Sequence, residues 1–109
     1  MPATWADLER LQLAVGTITD VRAFPEARNP AYKLTIDLGP LGTRQSSAQL
    51  THYAPEDLVG RQVVCVLGFE PKRIAGFKSE VLVTGAISET AGVVLLRPDT
   101  TVENGSPIG

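Results

Sequence analysis

The chain has 109 residues, 43% of them hydrophobic but only 6% aromatic, with a formal charge of −2. That length fits one domain with a core of Val, Leu, Ile and Ala, and it excludes a second core. A single cysteine, Cys65, and a single histidine, His52, exclude an intramolecular disulfide, a thiolate metal cluster and a His-based triad.

Helical signals open the chain. Thr4 is a cap for a helix over Trp5–Leu11, and Asp7 lies in the first turn, where the dipole favours an acid. Trp5, Leu8 and Leu11 share one face, which is expected to fold onto the body. Residues 13–24 read as a long strand with a bend or bulge at Gly16, ended by Pro25. After the polar loop 26–30, Tyr32, Leu34, Ile36 and Leu38 alternate with Lys33, Thr35, Asp37 and Gly39, the clearest period-two pattern here. The turn GPLG at 39–42 joins this strand to the next, 43–49, as a hairpin.

A helical turn is expected over 54–60, with Pro55 in its first position, Glu56 and Asp57 behind it, and Gly60 as a stop. Residues 61–69 are apolar on both faces, as in a central strand. A basic loop over 70–76 precedes strands at 79–87 and 93–96, and a tail closes the chain. The predicted architecture is all-β, with five or six short strands in the element order of a Greek-key barrel of the oligonucleotide/oligosaccharide-binding (OB) type. A small sandwich is the rival, and the position of the second helix favours the barrel. Short helices stand at the N-terminus and between strands three and four. The 109 residues form one domain.

Function classes narrow by elimination. Ser46, Ser47 and Ser79 have only His52 as a base, and no G-x-S-x-G elbow surrounds them. Phosphate-binding and dinucleotide motifs are absent, and the acids are scattered. Neither an enzyme nor a cofactor or metal protein is expected. His52 reads as a solvated turn residue and Cys65 as a small buried one. The pI near 5.3 argues against generic phosphate-driven binding, so any nucleic-acid contact must come from a local patch. MPATWADLERLQL has no signal-peptide core, and the apolar runs 63–67 and 91–96 are too short to span a bilayer. A cytoplasmic location without membrane insertion is the expectation.

Two segments stand out. FEPKRIAGFKSEVLV (69–83) gathers Lys72, Arg73 and Lys78 beside Ile74 and Phe77, offering positive charge and apolar surface together. RQSSAQL (44–50) carries donors and acceptors on both faces of a strand, as the polar floor of a groove would.

These segments, with FPEARNPAYKLTIDLG (24–39), PEDLVGRQVVCV (55–66) and VVLLRPD (93–99), make the chain recognisable. It resembles the CsaA family of bacterial export-related chaperones, within the tRNA-binding domain superfamily of OB folds. The resemblance implies a five-stranded barrel and a homodimer joined through segments outside it, here 1–12 and 97–109. It also implies binding of unfolded or precursor polypeptides without ATP, with the secretion translocation motor as a further partner. The binding face it implies is lined by Arg28, Asn29, Tyr32 and Lys33, floored by Gln45, Ser46 and Ser47, and walled by Lys72, Arg73, Phe77, Lys78, Ser79 and Glu80. Domains appended to methionyl-tRNA synthetases carry V-S-G-L-like and S-x-G-M-like segments where this chain has Ser46-Ser47-Ala48-Gln49 and Ser79-Glu80-Val81-Leu82. Binding of tRNA or another structured RNA on the same face is therefore the alternative.

Overall fold

A computed structural model describes residues 1–109. Thr4 caps α1 (Trp5–Leu11) as expected: its hydroxyl accepts the Asp7 N–H at 3.2 Å, and the Asp7 carboxylate accepts the Thr4 N–H at 2.8 Å. The expected docking of the helix face is only partial, with Leu8 and Leu11 half-buried and Trp5 left out. No residue of α1 is buried, and Trp5 is 83% exposed. The main chain also holds the helix, through Gly68 N–H to the Leu11 carbonyl (2.8 Å) and Leu67 N–H to the Gln12 carbonyl (3.1 Å). A Cβ at Gly68 would lie 2.1 Å from the Arg10 carbonyl oxygen, so only glycine permits this approach.

The remaining elements are strands β1 (Leu13–Ala23), β2 (Tyr32–Asp37) and β3 (Thr43–Ala48), one helical turn α2 (Pro55–Leu58), then β4 (Gln62–Val66), β5 (Lys72–Ile74), β6 (Phe77–Ser79), β7 (Leu82–Val83), β8 (Gly85–Ser88) and β9 (Gly92–Leu95). Five of them form an antiparallel sheet in the order β3-β2-β1-β4-β7 that curls into a nearly closed OB barrel. Two small sheets, β5-β6 and β8-β9, are added to it. Alternation along β2 works as read: Leu34 and Ile36 are buried, and Leu38 continues the series beyond the strand. They meet Ile18, Val63 and Cys65 in the core, which Leu58 of α2 plugs. Burial among these apolar groups pushes the Cys65 thiol pKa up to about 12.

Three sequence expectations change. The bulge of β1 lies between Ile18 and Asp20, not at Gly16. Glycine at 16 serves close packing instead: a Cβ there would stand 2.6 Å from Ile36 Cγ2 and 2.8 Å from Leu38 Cδ2. The segment 70–76 is not a simple loop but contributes β5 to a hairpin. Its two-residue turn, Ala75 and Gly76, has φ of 47° and 82°, the pair of positive values that a type I′ turn requires. Finally, 79–87 is not one strand. Glu80 and Val81 meet β3, only Leu82 and Val83 then pair with β4, and Thr84 N–H extends that contact to the Val64 carbonyl at 3.0 Å.

The tail is built into the domain. Val15 exchanges main-chain hydrogen bonds with it, receiving Gly105 N–H at 2.7 Å and donating to Ser106 at 3.0 Å. The Gln62 side chain grips Val102 at both ends, donating to its carbonyl (2.6 Å) and accepting its N–H (3.1 Å). The edge of β1 left free where β2 stops is thereby covered.

Candidate binding cleft

The barrel closes where β3 meets residues 78–81, and side chains stand in for ladder rungs there. Only Glu80 N–H to the Gln45 carbonyl (2.8 Å) is a main-chain bond across the seam. Gln45 N–H donates to Glu80 Oε1 (3.1 Å), Ser47 N–H donates to Ser79 Oγ (3.0 Å), and Gln45 Nε2 donates to the Lys78 carbonyl (3.1 Å). Ser46 is 1% exposed, and its hydroxyl donates to the Val81 carbonyl at 2.7 Å. Much of the polarity that looked like a groove floor thus satisfies main-chain groups where two strands diverge.

Beside the seam lies an open cleft of about 880 Å³. One wall is the loop carrying Arg28 and Asn29, and the other is β5, with Lys72, Arg73 and Ile74. Ser47, Ser79 and Glu80 enter from the seam. Phe69 and Leu82, 51% and 49% exposed, add apolar surface. Three cationic side chains, Arg28, Lys72 and Arg73, face two acidic ones, Glu70 and Glu80. Such a lining suits a mixed polar and apolar chain better than a uniformly anionic one.

The structure therefore brings seven of the thirteen sequence-derived residues to the cleft: Arg28, Asn29, Ser47, Lys72, Arg73, Ser79 and Glu80. Tyr32, Lys33, Gln45, Ser46, Phe77 and Lys78 do not line it. Tyr32 donates its hydroxyl to the Tyr53 carbonyl at 2.8 Å. Lys33 lies over the Phe24 and Phe77 rings, at 4.7 and 5.3 Å from their centroids, and these rings meet edge-on at 5.5 Å. This cluster clamps the β5-β6 hairpin to the barrel and sets the far wall of the cleft. Phe69 and Leu82 escaped sequence reading because burial patterns cannot say which side a broken strand presents.

His52 Nε2–H donates to the Val93 carbonyl (2.8 Å), which fixes the ring as the tautomer protonated at Nε2 and helps dock β8-β9. No group of three or more His, Cys, Asp or Glu side chains is placed to hold a metal ion. No helix is long and apolar enough to cross a membrane.

Comparison with known proteins agrees with this architecture. Residues 13–107 match the family model described as "Putative tRNA binding domain". The crystal structure of chaperone CsaA from Bacillus anthracis str. Ames is 51% identical, covers 100% of both chains and superposes with a TM-score of 0.91. CsaA chaperone protein from Picrophilus torridus is 44% identical over 99% of this chain and 100% of its own, with a TM-score of 0.93. Methionine--tRNA ligase of Methanocaldococcus jannaschii is 31% identical over 93% of this chain. The chain spans only 15% of the length of that ligase. Sequence and fold together show that this chain belongs to the tRNA-binding-domain family, in its CsaA branch.

Proposed function

We propose that the chain is a homodimeric chaperone that holds unfolded or precursor polypeptides in this cleft without nucleotide. The observation that carries this reading is the cleft lining, exposed Phe69 and Leu82 between charges of both signs, in a chain that matches CsaA chaperones end to end. Phe69, Leu82 and Ile74 would take apolar side chains of the client. Arg28, Lys72 and Arg73 would orient it through carboxylates and carbonyl oxygens, and Ser79 and Ser47 would offer hydroxyls. A holdase of this kind needs no catalytic group, because binding the non-native form shifts its population by mass action. Action in the cytoplasm, ahead of a translocation motor, is part of the same proposal.

The dimer is proposed through 1–12 and 97–109. Its support is α1, well capped yet without one buried residue, with Trp5 and Ile108 exposed beside the barrel. A two-fold interface would cover such apolar surface on both copies at once. A monomeric mass by light scattering at micromolar concentration would refute it.

A second reading, tRNA binding on the same face, is favoured by the family match and by the basic residues of the β5-β6 hairpin. Salt separates the two. Phosphate contacts release counterions, so RNA affinity falls steeply with salt, whereas apolar capture holds or strengthens. Titration with deacylated tRNA and, separately, with a reduced unfolded protein across a salt series is the deciding experiment. Tight tRNA binding with no client binding would overturn the chaperone reading.

A further inference from the structure

We infer that the cleft takes its client by strand addition: an extended polypeptide pairs with the outer edge of β5 and becomes the third strand of the β5-β6 sheet. This rests on polypeptide binding as proposed above and specifies how the main chain is held.

The geometry begins with the two edges of that small sheet. The outer edge of β6 is occupied, because the Lys78 carbonyl accepts Gln45 Nε2 and Ser79 Oγ accepts Ser47 N–H. The outer edge of β5 has no neighbouring strand. Its phase follows from the hairpin. Ile74 and Phe77 flank a two-residue turn and form the hydrogen-bonded pair, so the next pair, Arg73 with Lys78, points its main-chain groups away from the hairpin. The Lys78 carbonyl reaching Gln45 is this phase made visible on the β6 side. On the β5 side, Arg73 presents an N–H and a C=O outward, and Arg73 is exposed.

That edge borders the cleft, since Lys72, Arg73 and Ile74 all line it. Edge strands are ordinarily protected by brevity, charge and proline, and β5 has all three: three residues, Lys72 with Arg73, and Pro71 just before them. Pairing with another folded copy is thus discouraged, while a flexible chain can still enter. Once paired, the client alternates its side chains. One set would meet Phe69 and Leu82, and an acidic residue in the client would meet Lys72 or Arg28. Main-chain pairing with shallow apolar sites tolerates many sequences, as a chaperone requires. An RNA strand has no amide ladder and would ignore this edge.

Selective N-methylation of the client tests the inference. A capped peptide of about eight residues, the length that spans a cleft in extended form, alternates Val and Thr and carries one Glu. Two further versions carry N-methyl groups on the odd or on the even amides, and all three are titrated calorimetrically. Strand addition predicts that one methylated series loses about tenfold or more in affinity while the other stays within about twofold. In the protein, Arg73→Pro removes the outward N–H without touching the hairpin's main-chain bonds, and Arg73→Gln keeps that N–H but removes the charge. Both lose the guanidinium contact to the Gly76 carbonyl (3.5 Å), which the comparison between them cancels. Affinity of Arg73→Pro is expected about tenfold below that of Arg73→Gln. Equal losses in the two methylated series, with the unmodified peptide bound, would overturn strand addition and leave polypeptide binding standing. Failure of the unmodified peptide and of an unfolded protein to bind, with tRNA bound, would overturn both. If Arg73→Pro does not fold, the methylated peptides decide alone.

Discussion

Substituting Ser46 by Ala probes the barrel seam directly. Ser46 and Val81 are 1% and 4% exposed, so water cannot replace the hydroxyl that donates to the Val81 carbonyl at 2.7 Å. No other protein donor reaches that carbonyl. Removing the hydroxyl therefore leaves a buried acceptor unsatisfied, a loss of about 2 kcal/mol. In a domain of this size that lowers Tm by about 8 °C. The main-chain pairing of Ser46 with Leu34 is untouched, so the loss isolates the seam. Ser47 is the internal control. Its N–H, not its hydroxyl, makes the bond to Ser79, so Ser47→Ala should stay within about 0.5 kcal/mol of the parent. Urea and thermal unfolding of both variants read the difference. If Ser46→Ala stays within about 0.5 kcal/mol of the parent, or Ser47→Ala is equally costly, then side-chain rungs do not close this barrel.

Three further outcomes are expected. Gly16→Ala forces a methyl against Ile36 and Leu38 at under 3 Å and should cost about 1–3 kcal/mol in denaturant unfolding. Lys33→Ala removes the cation over Phe24 and Phe77; hydrogen exchange over 72–79 should accelerate while the barrel strands stay protected, with about 1 kcal/mol lost overall. The Cys65 thiol, raised from 9.0 to about 12, stays protonated in the fold while the unfolded chain ionises. The unfolded state then binds fewer protons, so stability falls as pH rises from 9.0 towards 12, by about 1.4 kcal/mol per unit. Urea midpoints of the parent should drop more steeply over that range than those of Cys65→Ala.

Much of the barrel is legible in one dimension because its signals are local. Alternation over 32–38 places Leu34 and Ile36 inside, since successive side chains of a strand point to opposite faces. Thr4 and Asp7 announce a capped helix, and Pro55 with two following acids announces a helical turn. Element order points to the barrel, the segments 44–50 and 69–83 locate a binding face, and family likeness names the proposed client of that face.

Other features depend on groups far apart in sequence. Ser46 reads as groove polarity until Val81, 35 residues on, is seen to need its proton. Phe77 and Lys33 read as ligand contacts until the fold packs them against Phe24. Trp5 reads as core by its spacing, yet nothing in the barrel comes to cover it. The type I′ turn at 75–76 is hidden because Ala75 stands where Asn or Gly would advertise it. Composition and period therefore determined a small β-barrel with a local patch of charge. Which polar groups close the barrel, and which remain free to bind, was decided only by the tertiary fold, because satisfying a buried carbonyl or covering a ring is a property of pairs.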